Sequence, residues 1–208
     1  ISKIMGFLLF IEAGFLSLCT ALSIFYKEPD MAAFILSTLL TIAVGIPLSY
    51  TGKDAERKLS RKDGYVIVTF AWIIFSIFGM LPYYLSGYIP NLTNAFFETM
   101  SGFSTTGASI LDDIESLPHA LLFWRSMTQW IGGMGIVIFT IAVLPIFGVG
   151  GIQLFAAEAT GPKIDKISPR IDVTAKWIWG IYIVLTITET ILLMLGGLSL
   201  FDSVCHAM

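Results

Sequence analysis

The stretch GFSTTGAS, residues 102–109, combines hydroxyl-bearing and small residues in a way that could bind a cation. Ser104, Thr105 and Thr106 favour an extended backbone over a helix, and Gly107 can adopt a positive φ. In such a loop the backbone carbonyl oxygens can turn toward one axis and replace the water shell of an ion. The residue types therefore indicate a loop that lines an ion path, although a turn or a helix-packing site is the simpler interpretation.

Charged residues flank this stretch on both sides. Asp112, Asp113 and Glu115 follow it, and these carboxylates would concentrate cations at an outer mouth, or else form an ordinary solvated face. Glu98 and Arg125 lie in apolar surroundings, where an unpaired charge is costly. We expect these two residues to form a structural ion pair that braces the loop, rather than to tune the ion path directly.

The elements that must position these residues are the long apolar segments of a membrane protein. Hydrophobic residues make up 56% of the 208 residues and charged residues only 13%, which excludes an ordinary soluble domain and indicates a lipid bilayer as the surroundings. The net charge of -3 indicates no nucleic-acid partner. Membrane spans are predicted at about residues 4–25, 31–52, 65–85 and 173–198, and within the uncharged run 126–157.

The distribution of Lys and Arg predicts the orientation of these spans. If the loops at residues 53–63 and 158–176 are cytoplasmic, all of the 12 Lys and Arg residues except Lys27 and Arg125 lie on that side. Residues 87–116 must then begin and end outside. Residues 92–103 are helix-compatible but only about half as long as a membrane crossing requires, so we expect this helix to enter the membrane and the chain to return.

Other residues in the predicted spans have structural interpretations. Glu12 and Glu189 are expected at an interface or hydrogen-bonded within the bundle, with a proton or ion relay as the functional alternative. The glycines of QWIGGMG, residues 129–135, predict close helix packing. NAFFETM, residues 94–100, and DSVCHAM, residues 202–208, both follow a span and a Gly-containing loop, which suggests a weak internal repeat.

Three stretches of the chain resemble the Trk/Ktr/HKT superfamily of cation transporters, and within it the TrkH family. They are NAFFETMSGFSTTGAS (residues 94–109), FWRSMTQWIGGMGIVIFTIAVLPIFGVGGIQLFAAEATGPK (residues 123–163) and SPRIDVTAKWIWGIYIVLT (residues 168–186). The resemblance covers most of the chain from about residue 61 onward. The motifs in these three stretches are specific to that family.

The resemblance implies an all-α membrane protein, a helical bundle of K+-channel-like repeats in which each repeat is a span, a re-entrant pore loop and a second span. The carbonyls of Thr105, Thr106 and Gly107 would coordinate K+ as the metal ion, with Ala108 closing the turn. The implied parts are a two-helix hairpin with a basic cytoplasmic loop (1–63), the first repeat (64–145), a Gly-rich cytoplasmic linker (146–172) and the start of the second repeat (173–208).

The resemblance also implies a function and partners. The chain would belong to a multi-pass protein of the bacterial cytoplasmic (inner) membrane that takes up K+ without an enzymatic step and without an organic cofactor. Such proteins are homodimers controlled by a cytosolic nucleotide-binding regulatory subunit of the TrkA type. The loops at residues 53–63 and 146–172 are the candidate contact surfaces for that subunit.

Three other functions stay open on the sequence. A secondary transporter could use the re-entrant loop to bind a substrate or coupling ion at mid-membrane. A relative permeable to Na+ would share the same fold. A membrane hydrolase could use Ser104 or a Thr as nucleophile, although the G-x-S-x-G motif would need glycine at position 106, and no His or Asp stands at a persuasive spacing.

Overall fold

The structure is a computed structural model that describes residues 1–51, 61–147 and 171–208. These residues form eight helices and no strand. In chain order the helices are α1 (Ser2–Tyr26), α2 (Met31–Thr51), α3 (Arg61–Gly79), α4 (Leu81–Leu85), α5 (Leu92–Phe103), α6 (His119–Phe147), α7 (Ile171–Leu195) and α8 (Leu200–Ala207).

Four segments among the described residues are long and apolar enough to cross a membrane: Ser2–Tyr26, Met31–Thr51, Val66–Leu85 and Lys176–Leu195. They agree with four of the predicted spans to within a few residues. Helix α6, at 29 residues, begins at His119, directly after Pro118, where the sequence predicts a helix start. The chain is an all-α membrane protein, as predicted.

The first two helices form a tightly packed hairpin. Helix α1 ends at Tyr26, the next residue, Lys27, has a left-handed φ of 56°, and the chain turns back into α2 at Met31. A Cβ atom on Gly6 would lie 2.6 Å from the backbone nitrogen of Ser49, so the two helices approach each other backbone to backbone. Small residues permit this contact in a membrane.

The third predicted span contains an interruption that the sequence prediction missed. The helix is divided at Met80 into α3 and α4. Pro82, in the first turn of α4, has no N–H group with which to continue the ladder of hydrogen bonds. At this interruption the Gly79 carbonyl accepts a hydrogen bond of 2.8 Å from the indole nitrogen of Trp124.

The chain forms two compact units, Ile1–Arg57 with Val66–Gly132, and Lys58–Tyr65 with Gly133–Met208. In the first unit α1 packs on α2, α2 on α4, and α4 on α5; in the second, α7 packs on α8. The first unit contains all the candidate site residues. The predicted basic loop at 53–63 and the predicted linker at 146–172 fall largely outside the described residues.

The short helices α5 and α8 share a local construction. Each follows a span and a glycine with positive φ, Gly87 at 80° and Gly197 at 100°. Each begins at a polar cap: the Asn91 side chain accepts from the backbone of Thr93 and Asn94, and the Ser199 side chain accepts from Asp202. Each cap lies three residues before its stretch of the suggested repeat, Asn91 before NAFFETM and Ser199 before DSVCHAM.

Candidate functional site: the loop after helix α5

Helix α5 ends at the residue that the sequence predicts, through a Schellman arrangement of hydrogen bonds. The Thr106 nitrogen donates to the Ser101 carbonyl at 3.0 Å, and the Thr105 nitrogen donates to the Gly102 carbonyl at 2.9 Å. Thr105 takes the left-handed position of this motif, with a φ of 54°. Glycine usually occupies that position, because a left-handed conformation costs other residues about 1–2 kcal/mol.

Beyond Thr105 the chain stays non-helical and turns back along α5. Gly107 has a φ of 74°, so two left-handed residues stand within three positions. The Ser101 hydroxyl donates to the Ala108 carbonyl at 2.6 Å, and the Ile110 nitrogen donates to the Glu98 carboxylate at 3.0 Å. Residues 108–110 therefore lie beside the last two turns of α5, and the segment is a loop that returns.

The Glu98 carboxylate connects three segments of the chain. Its side chain is only 2% exposed, and Arg125 of α6 lies 2.9 Å away through Nε. The same carboxylate accepts from the Ser109 hydroxyl at 3.0 Å and from the Ile110 nitrogen. The structure thus brings Glu98 and Arg125 together and adds two donors from the returning segment, which the sequence does not reveal.

Helix α6 packs closely on the end of α5. A Cβ atom on Gly132 would collide with the Phe103 carbonyl, and one on Gly102 would collide with the Thr128 hydroxyl. Trp124 meets the Phe103 ring edge to face at 6.2 Å. Gly132 is one of the glycines in QWIGGMG, so in this unit that motif serves the close helix packing that the sequence predicts.

Residues 105–108 are exposed along the returning loop. Among the described residues, no hydrogen bond uses the carbonyl oxygens of Thr105, Thr106 or Gly107. The Ser104 hydroxyl meets the Thr106 hydroxyl at 2.8 Å and the Ser101 carbonyl at 3.4 Å, and neither partner is a base that could activate a nucleophile. The loop thus presents backbone carbonyl oxygens that no described hydrogen bond uses.

The predicted outer-mouth residues lie on the segment between this loop and α6. Asp112, Asp113 and Glu115 are all exposed there, and no described hydrogen bond joins their side chains to residues 105–108. The structure therefore leaves them as surface charges close in sequence to the loop.

Sequence reasoning missed a contact that joins the hairpin turn to the start of α6. The Glu28 carboxylate accepts from the His119 nitrogen at 3.1 Å and from the Ala120 nitrogen at 3.4 Å, and it lies 2.7 Å from the His119 ring nitrogen Nδ1. Tyr26 stacks on the His119 ring at 4.1 Å. A glutamate 91 residues before the helix it caps gives no local signal, so only the fold reveals this contact.

Asp30 lies in the same turn and is buried. The Ser23 hydroxyl donates to its carboxylate. Burial raises the pKa of Asp30 and the charge of Glu28 raises it further, while the Ser23 hydrogen bond acts in the opposite direction.

The expectation for Glu12 is wrong. This residue is 0% exposed, and neither of its carboxylate oxygens has a hydrogen-bond partner among the described residues. It therefore makes none of the hydrogen bonds expected within the bundle, although α1 turns it inward against the rest of its unit. Glu189, in α7, is exposed.

Comparison with known proteins identifies the family. The family model TrkH, described as a cation transport protein, matches residues 30–208. The chain is 40% identical over 210 residues to the Trk system potassium uptake protein TrkH of Escherichia coli (strain K12), covering 100% of this chain and 43% of that protein. It is 36% identical to the TrkH protein of Halomonas elongata, with the same coverage.

A solved structure agrees with these relatives. The crystal structure of the potassium transporter TrkH from Vibrio parahaemolyticus superposes with a TM-score of 0.83 at 31% identity, covering 100% of this chain and 41% of that one. The chain therefore spans less than half the length of the relatives it matches. Its sequence and its fold agree on one conclusion: the chain belongs to the TrkH family of cation transport proteins.

Proposed function

We propose that this chain forms part of the membrane subunit of a Trk-type system, which takes up K+ across the bacterial cytoplasmic membrane without an enzymatic step. Residues 105–108 would line the ion path. The observation that carries this proposal is that no described hydrogen bond uses the carbonyl oxygens of three exposed residues, Thr105, Thr106 and Gly107. Such oxygens can replace the water shell of an ion.

Helix α5 favours a cation rather than an anion beside residues 105–108. Helix α5 ends beside the loop, and the C-terminal end of a helix carries a partial negative charge. Ala108 has its carbonyl bound by the Ser101 hydroxyl, which fits the turn-closing role that the family resemblance gives it. K+ is proposed because the relatives are named as potassium uptake proteins.

The test replaces Gly107 with serine in the full-length protein, expressed in cells that lack other K+ uptake systems. A serine at a φ of 74° would be strained by about 1–2 kcal/mol, enough to change the loop. Because the displaced carbonyl oxygens would no longer fit K+ in place of its water shell, we expect Gly107→Ser to lower the ratio of K+ to Na+ uptake.

Gly87→Ser is the matched control. Gly87 also has a positive φ, 80°, and an added Cβ there meets nothing within 4 Å, as at Gly107. It lies before α5, away from the loop. An unchanged ion ratio in Gly107→Ser, or an equal change in Gly87→Ser, would overturn the assignment. Equal K+ and Na+ uptake by the unmodified protein would instead favour a Na+-permeable relative.

We also propose that the full-length protein acts as a homodimer with a cytosolic nucleotide-binding subunit of the TrkA type. The name of the relatives, Trk system proteins, and the basic character of residues 53–63 support a cytosolic partner. Charge reversal at Lys53, Arg57 and Lys58 is expected to reduce co-purification of that subunit. Undiminished co-purification would exclude this loop as the contact surface.

A further inference from the structure

Glu12 lies at a junction that the proposed ion path does not use. A Cβ atom built on Gly79 would lie 3.1 Å from Glu12 Oε1, 2.9 Å from a Phe103 ring carbon and 2.9 Å from the Thr99 methyl group. The carboxyl group of Glu12 therefore lies in a small space. The same space is lined by Gly79, where α3 ends, and by the end of α5. A side chain at position 79 would require these three side chains to shift.

Among the residues that the structure describes, no charged group pairs with Glu12. Helix α2 has no charged residue, and the span Val66–Leu85 has none either; their titratable groups are tyrosines, among them the buried Tyr83. Glu98 of α5 and Arg125 of α6 pair with each other. Lys3 and Lys27 stand nine and fifteen residues away along α1, about 13 and 22 Å at the rise of a helix.

A bound metal ion does not suit the site either. A cation would need several oxygen ligands, and the described residues hold no group of three His, Cys, Asp or Glu that could supply them. The Thr99 hydroxyl already donates to the carbonyl of Ala95, and the Gly79 carbonyl accepts from Trp124. An unpaired carboxylate buried in apolar surroundings costs several kcal/mol, so the neutral acid is the form that this site accepts.

We propose that Glu12 is a buried proton-binding site that couples the N-terminal hairpin to the candidate ion path. With its proton bound, the neutral acid packs against Gly79 and the end of α5. When the proton is lost, the unpaired charge of Glu12 faces Phe103 and Thr99. Helix α1 must then separate from these residues, or water must enter between them. The end of α5 is also the point from which the loop at residues 105–108 begins, so proton occupancy at Glu12 acts on the position of that loop.

Infrared difference spectroscopy of the full-length protein in liposomes tests the bound proton directly. A protonated carboxylic acid has a C=O stretching band that a carboxylate lacks. We expect such a band at neutral pH in the unmodified protein and its loss in Glu12→Gln, whereas Glu12→Asp keeps a band of this type. Glu115→Gln is the control, because Glu115 is exposed outside the membrane spans and its removal should leave the band in place.

The coupling is tested by K+ uptake as a function of pH. We expect uptake by the unmodified protein to fall at alkaline pH and the Glu12→Gln variant to lose this fall, because glutamine is neutral at every pH. A band at neutral pH that survives in Glu12→Gln, or no band in the unmodified protein, would overturn the proton site. An unchanged pH profile would overturn the coupling. The spectroscopic result does not depend on K+ transport, so it can fail or succeed separately from the proposed function.

Discussion

Glu98 shows how one side chain can fix the geometry of the candidate site. Its carboxylate joins α5 to Ser109 and Ile110 of the returning segment and to Arg125 of α6. A charged acceptor with several donors is stronger than the same number of neutral hydrogen bonds. Besides Glu98, Ser101 is the one described side chain of α5 that forms a hydrogen bond with the returning segment.

Replacement of Glu98 with glutamine should therefore disrupt the loop. The variant loses the charge that pairs with Arg125 and places an amide donor against other donors, a loss of about 2 kcal/mol or more for hydrogen bonds to a charged group. We expect lower thermal stability of the full-length protein and at least about a tenfold loss of K+ uptake. Glu115→Gln, at an exposed position outside the spans, should leave the thermal stability unchanged. Uptake that survives in Glu98→Gln would show that the brace is dispensable.

Asp30 gives the protein a stability that depends on pH. Because burial raises its pKa, the folded protein holds this proton more tightly than the unfolded chain does. The resulting stabilisation is fully present below the ordinary Asp pKa of about 3.9, and it is lost as the pH rises through the raised pKa. Asp30→Asn should flatten the fall in melting temperature across this window. Asp113→Asn, on an exposed residue, should keep the slope of the unmodified protein, and an equal slope in Asp30→Asn would contradict the prediction.

Thr105 marks the limit of sequence reasoning at single residues. The run of hydroxyl residues before Gly107 predicts the end of α5 correctly, because such residues disfavour the helix. The positive φ at Gly107 follows from its lack of a side chain. A second left-handed residue at Thr105 could not be predicted, since a β-branched residue is disfavoured there and only the surrounding hydrogen bonds impose it.

At the scale of elements, the turn between α1 and α2 serves as the N-terminal cap of α6. Glu28 accepts from the first two backbone nitrogens of that helix, and its negative charge lies at the positive end of the helix dipole. The hairpin is therefore attached to the helix that also carries Arg125.

Removal of this cap should weaken the attachment measurably. Glu28→Ala is expected to destabilise the full-length protein by about 1 kcal/mol, the usual value for loss of a helix cap. A double-mutant cycle with His119→Ala should show coupling between the two residues, because their side chains lie 2.7 Å apart. Glu115→Ala, three residues before Pro118 and exposed, is the control. Additive effects of Glu28→Ala and His119→Ala would exclude a direct interaction.

Element lengths were predictable where one physical quantity decides them. The thickness of the hydrocarbon core fixes the length of an apolar run, so the bounds of α1 and α2 follow closely from hydropathy. The division at Met80 was missed because Pro82 stands near the end of an apolar run, where the run itself gives no sign of a change in hydrogen bonding. The Glu28 cap was missed because it joins residues distant in sequence.

For the whole molecule, the arrangement of spans makes a prediction about the two sides of the membrane. A helix of 12 residues followed by a loop that returns along it leaves both ends of residues 87–116 on one side, and the positive-inside rule makes that side external. The turn at residues 27–30 must lie on the same side, because Glu28 contacts the start of α6. The positive-inside rule predicts the basic residues at 53–63 on the opposite side.

Cysteine labelling in intact cells can test this arrangement. All native cysteines of the full-length protein, Cys19 and Cys205 among them, would first be replaced by alanine, and single cysteines then introduced at Lys27, Asp112 or Lys58. An impermeant thiol reagent should label Lys27→Cys and Asp112→Cys from outside, and Lys58→Cys only after the cells are made permeable. Labelling of Lys27→Cys and Asp112→Cys from opposite sides would mean that residues 92–118 cross the membrane. In that case the exposed carbonyls of residues 105–107 could not belong to a re-entrant loop, and they would have lost their connection to an ion path.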